Sequence, residues 1–98
     1  MVNAIYHWLE GNEKLLETNE IRVLSRQMTE DSSNCISVRL ERDGRILDIY
    51  CWEKGDFEDH YFSGQGSEVS VCYEKVTNPE EAVHAFKKAI ARLQSPKV

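Results

Sequence analysis

Asp43-Gly44 lies between two runs of alternating apolar and polar residues, and an Asp-Gly pair in that setting marks a two-residue hairpin loop. The turn dictates a register. Ile36 faces Cys51, Val38 faces Ile49 and Leu40 faces Leu47, so one side of the hairpin is wholly apolar. On the other side Arg39 meets Asp48 and Ser37 meets Tyr50. Apolar pairs and opposite charges across strands both stabilise such a ladder. A slip of one residue would set Arg39 against an apolar side chain. A sheet built on this hairpin therefore has one face to bury and one to leave open.

The flanking segments supply the cover. Residues 3–18 read as one helix capped by Asn3, with Ile5, Trp8, Leu9, Leu15 and Leu16 on one face and a stop at Thr18-Asn19. Gly11 weakens its middle by about 1 kcal/mol relative to Ala. Residues 21–28 read as a first strand, 30–34 as a loop, and 35–42 as the second strand. Residues 63–67 have loop composition, and 68–74 alternate with Val69, Val71 and Tyr73 on one side. Asn78, Pro79 and Glu81 are three start signals for a last helix, whose stripe is Ala82, Val83, Phe86, Ala89, Ile90 and Leu93. Lys87, Lys88 and Arg92 fall late in that helix, where they complement its dipole, and Ser95-Pro96 ends it. The expected fold is α+β. It has two layers, a four- to five-stranded antiparallel meander with an N-terminal and a C-terminal helix on one face, in a single domain over 1–98.

Lys54-Gly55 predicts a second tight turn before Asp56–Phe62. A two-residue loop there sets Trp52 opposite Phe57, Tyr50 opposite Asp59 and Asp48 opposite Tyr61, all on the open face. Glu58, His60 and Phe62 then fall toward the helices, an uncomfortable place that a bulge at Gly55 would change. Open sheet faces are normally polar. Aromatics ringed by carboxylates point instead to a surface for a partner. The candidate partner-binding residues are Asp48, Tyr50, Trp52, Glu53, Asp56, Phe57, Glu58, Asp59 and Tyr61. In the competing reading these aromatics only pack across strands, or lie under the 63–67 loop.

A net charge of −5 with scattered Lys and Arg argues against nucleic acid, whose phosphates need clustered cations. It favours encounter with a basic protein. Cys35, Cys51 and Cys72 are odd in number and form no C-x-x-C, which predicts reduced thiols in the cytosol. His7 and His84 lie beside helix stripes and read as packing residues. His60 shares a side with Glu58 alone, too few ligands for a structural zinc, so no metal is expected. Gly64-Gln65-Gly66 lacks the Lys-Ser/Thr of a phosphate loop, so no cofactor is expected either. Asp56, Glu58 and Asp59 lack the enclosing cleft that acid-base catalysis needs, so the chain does not read as an enzyme. The N-terminus carries no leader pattern and no run is long enough to span a bilayer, which predicts a cytoplasmic protein without membrane contact.

The segments IYHWLEGNEKLL, GRILDIYCWEKGDFED and NPEEAVHAFKKAI, with the chain length and the helix–meander–helix order, resemble small bacterial immunity proteins of polymorphic-toxin and contact-dependent growth inhibition systems, in particular the family called TriTu. The likeness covers most of the chain as a pattern of hydrophobics, a tryptophan and turn glycines. It implies a cytoplasmic antidote that binds the toxic C-terminal domain delivered by a neighbouring cell, often a basic nuclease, and blocks its active site or substrate surface. Such interfaces diverge between members, so the resemblance assigns no binding residue. The residues themselves predict steering by Asp48, Glu53, Asp56, Glu58 and Asp59, then anchoring by Tyr50, Trp52 and Tyr61. The alternative is a small accessory or dimerising domain, such as a secretion chaperone or regulatory subunit, forming a homodimer through the same sheet.

Overall fold

Asp43 and Gly44 take positive φ, 53° and 79°, the left-handed pair that a two-residue hairpin loop needs. The computed structural model, which describes residues 1–29, 34–64 and 68–94, places β2 (Cys35–Arg42) and β3 (Arg45–Trp52) antiparallel on either side of them. Ile36 pairs with Cys51, Val38 with Ile49, Leu40 with Leu47 and Arg39 with Asp48, in the register that the turn dictates. β1 (Arg22–Met28), β4 (Asp56–Phe62) and β5 (Glu68–Lys75) complete a five-stranded antiparallel meander in the order β1-β2-β3-β4-β5. Of the expected loops at 30–34 and 63–67, residues 30–33 and 65–67 lie outside the described residues, as does the helix stop at 95–96.

The expected first helix is two. α1 (Val2–Gly11) and α2 (Glu13–Thr18) meet at Asn12, whose Nδ2 donates to the Trp8 carbonyl at 2.8 Å and so competes with helix continuation. Asn3 does not cap α1. Its N-terminus is held from the β3–β4 turn, where Glu53 accepts from the terminal ammonium at 2.7 Å and from the Val2 amide at 3.2 Å. α3 (Pro79–Gln94) starts as expected, with the Glu81 amide donating to Asn78 Oδ1 at 2.9 Å. The Glu81 carboxylate reaches back to the amide and hydroxyl of Thr77. The C-terminal carbonyls of α3 accept from the two arginines flanking the Asp43-Gly44 turn. Arg42 reaches Leu93 and Gln94 at 2.9 and 2.6 Å, and Arg45 reaches Arg92 and Leu93 at 3.2 and 3.3 Å. The β2–β3 and β3–β4 turns thus each secure one end of a helix.

Both long helices cover the same sheet face. Ile5, Leu9, Phe86, Ile90 and Leu93 meet Ile36, Val38, Leu47, Ile49 and Cys51 in one buried core. Trp8 packs edge-on against Phe86, with ring centroids 5.5 Å apart. His7 and His84, expected in this packing, are exposed instead, because each sits on the solvent side of its helix. Leu15 also faces solvent, since α2 follows its own direction after Asn12.

The β3–β4 turn departs from the expected two-residue loop. Glu53, Lys54 and Gly55 form a three-residue connection, with the Gly55 amide donating to the Trp52 carbonyl at 2.9 Å and Gly55 at φ 109°. A Cβ on Gly55 would lie 2.3 Å from the Val76 carbonyl oxygen, so the site demands glycine twice over. The extra residue shifts the register by one. Cys51 pairs with Phe57, Ile49 with Asp59, Leu47 with Tyr61 and Asp48 with His60. Phe57, Asp59 and Tyr61 therefore face the helices, whereas Glu58, His60 and Phe62 lie on the open face.

Candidate functional site

The face away from the helices is a continuous ladder of side chains. One row across the sheet reads Gln27, Ser37, Tyr50, Glu58, Tyr73, and the next reads Ser25, Arg39, Asp48, His60, Val71. Trp52 lies beyond Tyr50 on β3 at one end, and Ile46 pairs with Phe62 at the other. Tyr50 is the centre of a ring cluster. Tyr50 and Trp52 stack at 6.2 Å and 24°, and His60 meets Tyr50 edge-on at 5.8 Å. On β5, Val71 and Tyr73 are exposed, at 48% and 63%. Period-two alternation puts all of these on one side, because each strand inherits its facing from the hairpin before it.

The carboxylates of this face are paired within it. Asp48 is almost covered and accepts a two-pronged bond from Arg39, at 2.7 and 2.8 Å. Arg22 forks Glu41 at 2.9 and 2.8 Å. Asp56 accepts from the Tyr73 hydroxyl at 2.5 Å and from Lys75 at 2.9 Å, with Lys54 3.3 Å away. The tyrosine bond, then the lysines, hold the Asp56 carboxyl well below the usual range. Glu58 lies 3.3 Å from His60, a contact that carries two charges only when the imidazole is protonated. A polar dimple of about 140 Å³ lies in this patch between Ser25, Ser37, Arg39, Asp48 and Tyr50.

Of the nine candidate residues, Asp48, Tyr50, Trp52, Asp56 and Glu58 share the open face. Three do not. Phe57 is a core residue at 1% exposure, and Tyr61 packs against the same core. Asp59 is buried at 4%, paired with Arg92 of α3 at 2.8 Å. Burial pushes the Asp59 carboxyl up, and Arg92 offsets part of that rise. Glu53 sits in the turn and is engaged by the α1 N-terminus, whose ammonium draws its carboxyl down. Sequence reasoning missed Ile46, His60, Phe62, Val71 and Tyr73. The alternation of Val71 and Tyr73 was visible, but its facing hung on the β4 register.

The three cysteines are separate thiols: Cys35 is half-buried, Cys72 exposed, and Cys51 buried with its thiol pushed up to about 11 by desolvation. Among the described residues, no group of three His, Cys, Asp or Glu side chains is placed to hold a metal ion. Likewise no described helix is long and apolar enough to cross a membrane. What the face offers chemically is apolar and aromatic area beside preformed ion pairs, which suits binding of another macromolecule. Compared with protein-family models, with curated proteins and with solved structures, the chain finds no match.

Proposed function

We propose that this chain is a cytoplasmic immunity protein, which neutralises a toxin domain by binding it with the open face of the sheet. The observation that carries the reading is the set of aromatics Tyr50, Trp52, Phe62 and Tyr73 on a face that no described helix covers. Trp and Tyr supply much of the energy of protein interfaces when a partner desolvates them. The ion pairs of Arg39 with Asp48 and Lys75 with Asp56 support it further. A partner closing over them buries neutralised pairs rather than lone charges, which lowers the desolvation cost. The sequence resemblance to immunity proteins supplies the class of partner, and the net charge of −5 favours a basic one. Steering belongs to the whole acidic field rather than to Asp48 or Asp59, which are covered. Anchoring belongs to Tyr50, Trp52 and Tyr73 rather than Tyr61.

The test is co-expression with the C-terminal toxin domain from the adjacent reading frame. The expected result is a one-to-one complex and rescue of growth. Trp52→Ala and Tyr73→Ala should each speed dissociation by roughly tenfold or more, with little change in association. No complex and no rescue with both proteins folded refutes the immunity reading. A complex indifferent to both substitutions refutes this face. A dimerising accessory domain would use the same uncovered surface, and a concentration-dependent mass that Tyr73→Ala abolishes would identify it.

A further inference from the structure

We propose a second interaction surface: the free edge of β1 and the groove beside it, which take an extended basic segment of another protein as a sixth strand. Among the described residues β1 bonds to β2 on one side only, and every residue from Arg22 to Met28 is exposed. The helices pack chiefly on β2, β3 and β4, and they meet β1 through Arg26, which reaches Glu13 and the Tyr6 ring. A bulge between Val23 and Ser25 interrupts the strand, and beyond it the outer side of residues 25–28 presents alternate amide and carbonyl groups that another strand can pair. Val23, Leu24 and Met28 add exposed apolar area at 38%, 45% and 38%. The opposite edge is better guarded, because Arg92 and Lys88 of α3 reach across to Ser70, Cys72 and Glu74 of β5.

Beside β1 runs a groove of about 590 Å³ between the strand and α2. Leu9, Leu16 and Ile21 form its floor, and Glu13 and Glu17 of α2, with Glu20 in the turn after it, form its wall. The charge of the groove selects the occupant. Arg26 is already engaged by Glu13 at 3.6 Å and by the Tyr6 ring at 5.5 Å, and Arg22 by Glu41 on the open face. Glu17 and Glu20 make no ion pair among the described residues. A Lys or Arg on the groove side of an added strand lays its methylenes on the apolar floor and brings its cation to these carboxylates. The alternate side chains of that strand project the other way and extend the open face. The surface is separate from the aromatic ladder, and its test does not depend on the immunity reading.

The probe is a capped heptapeptide of alternating Lys and Val, titrated into the ¹⁵N-labelled full chain, with a Glu-Val peptide as control. Saturable amide shifts concentrated at residues 13–28, caused by the Lys-Val peptide alone, are expected. Glu17→Gln with Glu20→Gln should weaken the affinity about tenfold, and Glu17→Lys with Glu20→Lys more. All four changes are on exposed side chains, and an unchanged urea midpoint checks the fold. Shifts that spare β1, an equal response to the Glu-Val peptide, or a dimer of the chain paired through β1 would each overturn the proposal.

Discussion

Phe57→Ala tests the register that decides which residues belong to the open face. Phe57 is 1% exposed and pairs with Cys51 on the helix side of the sheet. Removing a buried phenyl ring loses its transfer free energy and leaves a cavity, together about 3–5 kcal/mol. A domain of this size commonly has a total stability of about 5–15 kcal/mol. The loss should lower the thermal midpoint by roughly 12–40 °C, at about 4–8 °C per kcal/mol. Phe57→Leu keeps most of the volume and should cost about 1 kcal/mol, so it reports even if the alanine variant fails to fold. In the register of a two-residue loop Phe57 would lie in solvent, and either change would stay within about 0.5 kcal/mol. Val71→Ala, on the open face, is the internal control and should be near neutral. Urea unfolding followed by far-UV circular dichroism measures all three. A Phe57→Ala protein as stable as the parent refutes the register and with it the composition of the face.

Tyr73→Phe removes the main group holding the Asp56 carboxyl down, so its ¹³C-detected titration should move up toward the ordinary range; an unmoved midpoint means the hydroxyl does not bond there. Glu53→Ala removes the cap of α1 and should cost about 0.5–1 kcal/mol at neutral pH, discounted for a side chain 44% exposed. Because the folded carboxyl of Glu53 titrates low, that contribution is present above the unfolded value near 4.3 and vanishes as pH falls through the folded one; the two unfolding curves should converge in acid. Asp59 has the opposite sign. Its carboxyl is raised on folding, so its contribution is full below about pH 3.9 and is lost as pH rises; Asp59→Asn should gain on the parent between pH 4 and 7, and a constant difference over that range contradicts the assignment.

The first hairpin was legible because two residues, Asp43 and Gly44, settle both loop length and twist, and the pairs they dictate agree on both faces. Asn78 and Glu81 marked the last helix for the same reason, through local bonds. Gly55 announced a turn without giving its length. What requires glycine there is the Val76 carbonyl, 21 residues on, and such an approach leaves no mark in local pattern. The discomfort of Glu58, His60 and Phe62 on the inner side was the available sign of a shifted strand. Against it stood Asp59, an unlikely core residue until Arg92 arrives from α3. Glu53 looked like part of an acidic rim because its partner, the chain terminus, is remote in sequence. The site was thus half legible: β3 contributed its residues by alternation, whereas β4 and β5 depended on a turn fixed by tertiary contacts.

The chain has two tryptophans, one on each side of the sheet: Trp8 under the helix layer against Phe86, and Trp52 on the open face stacked on Tyr50. The most direct measurement is therefore the pair of indole ¹⁵N–¹H signals of the full chain, recorded alone and with the toxin domain proposed as its partner. Binding through the open face predicts that the Trp52 indole shifts or broadens while the Trp8 indole stays in place. A complex that moves Trp8 and leaves Trp52 untouched would contradict the account.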